Sequence, residues 1–442
     1  MERESFWTAG FADRREAGRL LAREIERGGA LGSSSAPTVV VGLARGGVEV
    51  AAEVAASLDV SLDAIAVRKV GHPWQPEYGI GAVAPGGIHF LRSSDGLSDA
   101  EVAEAIRTAA EGAVALDARL HASRGELPLT DATCVLVDDG LATGGTMVAA
   151  ARWARARGAA RVVVGVPVGA AATVRALAES EDVDEVVCLA APTDFGAVGF
   201  WYHDFTQVSD GEVVALLDEA HERTLSRRSA ELPVTGVALP ADIVVPALPL
   251  GWVLFAHGSG SGRLSPRNLQ VAAGLQRAGI ATLLFDLLTS EEETDRANVF
   301  DVELLGGRLV AATGWLDEQP DAAGAALGYF GASTGAAAAL LAAAELGPRI
   351  SAVVSRGGRP DLAADRLGEV LGPTLLIVGG ADRVVLDLNR AAAELLQCRH
   401  ELAVVAGATH LFEEPGALEQ VTELARAWFV GSFSTPARGA WS

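Results

Sequence analysis

Two groups of residues in this 442-residue chain have types and spacing that could do chemistry. In the first, the apolar run Cys134–Val137 ends in two acids, Asp138 and Asp139. Gly140-Leu141-Ala142-Thr143-Gly144-Gly145-Thr146 follows, then a helical stretch from Val148 to Arg157. Thr143 to Thr146 place hydroxyls and backbone N–H groups at a helix N-terminus, where the helix dipole also favours a phosphate. Glycine lets the backbone come close to the phosphate oxygens. Carboxylates cannot ligate a phosphate, but beside one they suit the hydroxyls of an attached sugar. The pattern therefore predicts a sugar-phosphate ligand. The Gly-rich turn taken alone is equally an ordinary strand-to-helix connection.

In the second group, the apolar run Leu327–Phe330 enters Gly331-Ala332-Ser333-Thr334-Gly335 and then an alanine-rich helix. A serine on a sharp strand-to-helix turn needs small neighbours on both sides, because the backbones around it touch. Asp382 follows the buried run Leu375–Val378, and His410 follows the run that ends at Val405. Ser333, His410 and Asp382 thus stand in the chain order of a hydrolase triad, as nucleophile, general base and imidazole orienter, with Asp387 in reserve for the acid. Read singly, Asp382 is also a plausible helix N-cap and His410 a surface loop residue. The polar loop His257-Gly258-Ser259-Gly260-Ser261-Gly262 suits an oxyanion donor, the amide of Ser259, beside the N–H of Thr334. His257 is expected to brace that loop rather than act as a base. Arg356 and Arg359 follow a strand end on the same face, where they either grip a substrate carboxylate or face solvent.

The elements that must position these groups alternate as βαβα, which predicts parallel sheets covered by helices. Strands are expected at Thr38–Val41, Ala64–Val67, Thr133–Val137, Arg161–Val166 and Glu185–Leu189. A second series runs from Trp252–Ala256 through Ala281–Phe285, Ala326–Phe330, Ala352–Ser355 and Thr374–Val378 to Glu401–Val405. Between them the chain turns irregular and proline-bearing, so domains are expected at 1–225 and 236–442 with a linker at 226–235. Two short β-type runs around Pro240-Ala241 suggest that the second domain opens with a hairpin.

Composition limits the partners. A formal net charge of −22 argues against nucleic acid, since phosphate-backbone binding needs clustered cations. The opening from Met1 to Phe11 lacks the apolar run of a secretory signal, and no stretch reaches the length of a membrane span. A cytoplasmic protein that contacts no membrane is expected. Cys134, Cys188 and Cys398 are scattered and read as small buried hydrophobes, and no His or Cys grouping has metal-ligand spacing. Of the 35 basic residues only Lys69 is a lysine.

The segment Cys134–Met147 resembles the phosphoribosyl-pyrophosphate (PRPP) motif of type I phosphoribosyltransferases. Gly42-Leu43-Ala44-Arg45-Gly46-Gly47 is similar to that family's pyrophosphate loop, and Val67–Gly81 to the loop that closes over its substrate. The resemblance implies PRPP contacts from Arg45, Gly46, Gly47, Arg68, Asp138, Asp139, Ala142, Thr143, Gly144, Gly145 and Thr146. It implies a role for Lys69 at the pyrophosphate, and a base-recognising hood that includes Phe200 and Trp201, with Phe195 expected in its packing. Gly140 departs from the aliphatic residue usual there and is expected to loosen the loop. Magnesium would enter only with PRPP, with no direct protein ligand, and dimers through this domain are favoured.

Gly236 to Val430 resembles the dienelactone hydrolase-like branch of the α/β-hydrolases, with serine where dienelactone hydrolases proper carry cysteine. The implied fold class is α/β with two doubly wound domains, an N-terminal phosphoribosyltransferase-like parallel sheet and a C-terminal α/β-hydrolase sheet. The implied function is bifunctional: PRPP-dependent phosphoribosyl transfer to an unnamed acceptor, and hydrolysis of an unnamed carboxyl ester or lactone. Alternatively, the first domain only senses PRPP or a nucleotide and regulates the hydrolase.

Overall fold

The computed structural model describes residues 10–31, 36–94, 96–122, 124–234 and 236–434, without the side chains of residues 76 and 77. Most of the opening segment therefore lies outside the described residues. The chain divides into two compact units, Met1–Thr224 and Leu225–Ser442.

The first unit comprises α1 (Arg14–Gly28), β1 (Thr38–Leu43), α2 (Gly46–Leu58), β2 (Ser61–Ile65), β3 (Arg68–His72), β4 (Gln75–Val83) and β5 (His89–Leu91). It continues with α3 (Asp99–Leu120), β6 (Thr133–Val137), α4 (Gly145–Ala156), β7 (Arg161–Val168), α5 (Ala171–Ala178), β8 (Glu185–Ala190) and α6 (Asp210–Thr224). Five strands form a parallel sheet in the order β2-β1-β6-β7-β8. Strands β6 and β7 are almost wholly buried, which explains their unbroken β-branched runs. The chain winds from β1 outward to β2 and from β6 outward to β7 and β8, so the winding direction reverses between β1 and β6. At such a point no helix covers the carboxyl ends of the two strands, and ligands bind there.

Only the first half of the run expected at Ala64–Val67 is strand. β2 ends at Ile65, and Arg68–His72 leaves the sheet to pair antiparallel with β4, which pairs with β5. The expected loop after Lys69 is thus a three-stranded flap, seated on α3 through Val70, Ile80 and Val83.

The second unit comprises β9 (Ser226–Val234), β10 (Val237–Val245), β11 (Gly251–Ala256), α7 (Pro266–Arg277), β12 (Ile280–Phe285), α8 (Arg296–Phe300), α9 (Val302–Asp317), β13 (Leu327–Ala332) and α10 (Thr334–Leu346). β14 (Ile350–Arg356), β15 (Thr374–Gly379), α11 (Arg383–Leu395), β16 (His400–Val405) and α12 (Ala417–Phe433) complete it. Its eight strands run in the order β9-β10-β12-β11-β13-β14-β15-β16, parallel apart from the two pairings of β10. Here the winding reverses between β11 and β13. Helix α10 is buried on every side from Thr334 to Ala343 because its alanines let it pack between the sheet and α9.

The expected linker 226–235 is instead mostly β9, paired along its length with β10. Its first half, Ser-Arg-Arg-Ser, is exposed at the sheet edge and carries no apolar alternation, so the usual strand signal is missing. The hairpin falls between Val234 and Val237, and Pro240-Ala241 lies within a single strand. Pro240 has no N–H to donate, but its carbonyl still joins the sheet, accepting from the amide of Asp286 just past β12.

Cys134 is fully buried, as expected, whereas Cys188 and Cys398 are only half-buried. Asp117, His121 and Glu126 cluster closely enough to suggest a metal site the sequence reading did not foresee, but each already has a partner. Glu126 pairs with Arg157. His121 Nε2 bonds Asp63 Oδ1 at 2.9 Å, and its Nδ1 lies 3.3 Å from Asp117 Oδ2. Burial alone would lower the imidazole pKa, yet the hydrogen bonds with Asp117 and Asp63 raise it to about 10. The group therefore stabilises the fold fully below its unfolded pKa of about 6.5, and that contribution is lost as pH rises through about 10. Denaturant unfolding of the whole chain should show the first unit weakening by a few kcal/mol, on the order of 3, between those limits. His121→Gln should abolish that slope; an unchanged slope would contradict the assignment.

Candidate functional site

The first candidate site lies at the winding reversal between β1 and β6. Asp138 and Asp139 leave the end of β6, and the Asp139 amide donates back to Asp138 Oδ1 at 2.9 Å. The loop after β1 closes against them. A Cβ on Gly47 would sit 2.9 Å from Asp138 Oδ1, and one on Gly46 would overlap the Asp139 carboxylate, so this approach requires the glycine pair. Burial pushes the Asp138 carboxyl well above its ordinary pKa, and the Asp139 charge adds to the effect. Asp139 is raised as well, mainly by burial, against the opposing influence of Arg14. Arg14 Nε donates to Asp139 Oδ2 at 2.9 Å.

Gly144, at φ 77°, turns the chain into α4. Thr143, Gly145 and Thr146 line a cavity of about 230 Å³, and Lys69, Arg92 and Phe90 are among the residues facing them. Side chains alternate along β3, so Lys69 faces this cavity while Arg68 turns the other way, against Gly112 of α3. Arg45 reaches outward to Asp210 at 3.6 Å. The Ala142 carbonyl accepts from the Thr173 hydroxyl at 2.7 Å.

The second candidate site lies at the reversal between β11 and β13. Ser333 has φ 52° and ψ −118°, a strained conformation for a non-glycine residue. The turn holds because nothing larger than glycine fits beside it. A Cβ on Gly331 would overlap the backbone of Ala336, and one on Gly335 the carbonyls of Ala256 and His257. His410 Nδ1 and Asp382 Oδ2 lie 2.7 Å apart. Asp382 also caps α11, its other oxygen accepting from the Val385 amide at 3.4 Å, so one carboxylate serves both as the N-cap and as the partner of His410. Asp387 instead pairs with Arg390 at the surface. The turn Arg356-Gly357 touches both partners: the Arg356 carbonyl accepts from the Ser333 amide at 3.2 Å, and a Cβ on Gly357 would sit 3.6 Å from His410 Cε1.

Thr334 follows Ser333 as the first helical residue, so its amide has no acceptor within α10. The Ser259 amide, expected as the second oxyanion donor, donates instead to Thr334 Oγ1 at 3.0 Å. His257 is buried, its pKa is lowered by that burial, and Nε2 accepts from the Leu287 amide at 2.9 Å. This is the bracing geometry expected of it. A cleft of about 630 Å³ opens beside Ser259 and Thr334, lined also by Arg263, Arg267, Leu288 and Glu293.

The model of the phosphoribosyl transferase domain family matches residues 15–204. A Mycobacterium tuberculosis protein named as a putative phosphoribosyl transferase is 50% identical over 444 residues, spanning 96% of this chain and 98% of its own. This chain belongs to that family. A Bradyrhizobium protein named as a probable 2-oxo-3-(5-oxofuran-2-ylidene)propanoate lactonase is 29% identical over 41% of the chain and 77% of its own length. Among solved structures, a dienelactone hydrolase from Anabaena variabilis is 52% identical over 47% of this chain and 99% of its own, with a TM-score of 0.46. TT1426 from Thermus thermophilus is 40% identical over 48% of this chain and 98% of its own, with a TM-score of 0.41.

In the phosphoribosyl transferase unit the fold brings together Gly46, Gly47, Asp138 and Asp139, and separately Lys69 with Thr143, Gly145 and Thr146. Two expectations need correcting. Arg68 lies on the far face of β3, because adjacent strand residues point in opposite directions. Gly140 does not loosen its loop: a Cβ there would meet Val198 at 2.5 Å, so the glycine lets the segment carrying the expected hood pack down. Phe195 is buried in that packing, Trp201 Nε1 donates to its carbonyl at 3.0 Å, and Phe200 is 83% exposed.

In the second unit Arg359 is neutralised by a bidentate pair with Asp361. Arg356, expected to face either a ligand or solvent, is instead buried at 9% exposure, and its Nη1 has no hydrogen-bond partner. Burial and the neighbouring Arg267 charge lower its pKa to about 10. Sequence reading missed Arg14, Arg92 and Arg267. In an arginine-rich chain these carry no local motif, and only the fold brings them to the sites.

Proposed function

We propose that the first unit binds Mg·PRPP and transfers its phosphoribosyl group. The observation that carries this reading is the glycine loop Gly46-Gly47 pressed onto Asp138 and Asp139 beside the phosphate-suited turn Thr143–Thr146. In this reading the amides and hydroxyls of that turn hold the 5′-phosphate, and Lys69, which lines the same cavity, is a point countercharge for the pyrophosphate. Asp138 and Asp139 accept hydrogen bonds from the ribose hydroxyls. The anomeric C–O bond to pyrophosphate breaks with its electron pair leaving on the pyrophosphate oxygen, and the acceptor supplies the new bond. Magnesium arrives as part of the substrate and offsets the leaving group's charge.

The second unit hydrolyses a carboxyl ester. Its strongest support is the contact between His410 Nδ1 and Asp382 beside a strained Ser333. Ser333 Oγ attacks the carbonyl while His410 Nε2 takes its proton, and Asp382 holds the imidazole by Nδ1–H. The oxyanion is received by the amide of Thr334 and by that of Ser259, which exchanges the Thr334 hydroxyl for it. The alcohol leaves with the proton from His410, and water repeats the sequence to free the enzyme. Arg356, whose carbonyl accepts from the Ser333 amide and whose buried Nη1 has no partner, favours an ester that also carries an anionic group, in keeping with the lactonase relative's name.

Two measurements test these readings. Calorimetric titration of Mg·PRPP should show saturable binding that the Asp138→Asn, Asp139→Asn double variant loses; wild-type protein that binds nothing would contradict the first reading. A fluorophosphonate probe should label the chain once, at Ser333, and fail with Ser333→Ala, whereas equal labelling of that variant would contradict the second. Adding saturating Mg·PRPP to an ester assay separates two independent enzymes from a regulated one.

A further inference from the structure

Arg14 is the first residue of α1 and is buried to 6% exposure, far from any motif that sequence reading singled out. Its guanidinium is held on four sides. Nε donates to Asp139 Oδ2 at 2.9 Å, Nη1 donates to the Thr206 carbonyl at 2.8 Å, the Phe205 ring lies under it at 4.0 Å, and Glu49 approaches to 3.9 Å. The segment leading into α1 is joined to residues 201–204 by three backbone bonds: Phe11 N–H to the Trp201 carbonyl, His203 N–H to that of Phe11, and Asp204 N–H to that of Ala12. From the same segment the Tyr202 hydroxyl donates to the Asp139 carbonyl at 2.6 Å. Asp139 is thus gripped at its backbone by Tyr202 and at its side chain by Arg14.

We propose that Arg14 is a positioning residue for the ribose site, holding the Asp139 carboxylate ionised and fixed so that its second oxygen can accept from a ribose hydroxyl. This rests on the reading of the first unit as a PRPP site. A buried ion pair seldom adds net stability over apolar packing, so stability alone explains it poorly. The pair also constrains the glycine loop. A Cβ on Gly46 would strike Asp139 Oδ2 and come within 3.1 Å of the Arg14 nitrogens, so the loop, the acid and the arginine are packed as one unit.

The groups facing Asp139 are Asp138 from the same strand end, Arg14 from α1, Glu49 from α2 beyond Arg14, and the Tyr202 hydroxyl. Lys69 on β3 acts on Asp138. Burial raises the Asp139 pKa, and Arg14 is the cation that opposes the rise. Without Arg14 the carboxyl would take up a proton at higher pH. A protonated acid presents a weaker acceptor to the ribose, so affinity should fall as pH drops through the Asp139 pKa, and that fall should move toward neutrality.

The test is calorimetric titration of Mg·PRPP into the full chain and its Arg14→Gln and Arg14→Lys variants between about pH 6 and about pH 9, read as the ratio of variant to wild-type Kd. Taking the ratio cancels ionisation of PRPP itself. Arg14→Gln should bind roughly tenfold or more weakly at the acid end and recover to within about threefold at the alkaline end, with Arg14→Lys between it and wild type. Phe205→Leu, which removes the stacked ring without touching Asp139, should shift the profile less and in the same direction, and serves if Arg14→Gln fails to fold. A ratio that is constant across pH, or equal to one throughout, overturns the proposal. Absence of binding by wild-type chain overturns the ribose-phosphate reading, and the proposal falls with it.

Discussion

Each half of this chain depends on one constraint, a parallel sheet that reverses its winding direction once. Where β1 lies beside β6, and again where β11 lies beside β13, the two connections depart to opposite sides and leave a crevice above adjacent strand ends. The chemistry-bearing residues of both units stand at those ends. Gly46 and Gly47 follow β1 while Asp138 and Asp139 follow β6; the Ser259 loop follows β11 while Ser333 follows β13. Burial of the strands fixes the spacing between the two lips of each crevice, and the loops need only supply groups of the right type.

Close backbone approach is the second shared feature, and glycine makes it possible in both units. Gly46 and Gly47 admit the acid pair to the loop, and Gly331 and Gly335 admit the neighbouring backbones to the serine turn. Contacts this tight leave little freedom for the reactive side chains, which is the condition for a preorganised site. Buried charge then sets their ionisation. Asp139 has Arg14 to offset its burial, Asp138 has less compensation, and Arg356 has none among the described residues. A buried guanidinium without a compensating charge is costly to hold.

Much of this was legible in the sequence, because strands buried on both faces appear as unbroken apolar runs and each run ends in its functional residues. Asp138, Asp139, Ser333, Asp382 and His410 could all be found this way. Strand β9 could not, since its exposed edge removes the alternation, and the flap strand β3 fell within the expected loop because its short run carries little apolar alternation. Arg68 was misplaced for want of knowing which face of β3 met the ligand side. Arg14 was invisible for a different reason: it lies 125 residues from Asp139, and only the tertiary fold makes them partners.

The most direct measurement of the central claim is a crystal structure of the chain grown with Mg·PRPP. The account predicts density for the 5′-phosphate within hydrogen-bond reach of the Thr143–Thr146 turn, the ribose hydroxyls on the acid pair, and Arg14 still seated on Asp139. Density for PRPP anywhere other than the crevice between β1 and β6, or a ribose bound with Asp138 and Asp139 turned away, would contradict it.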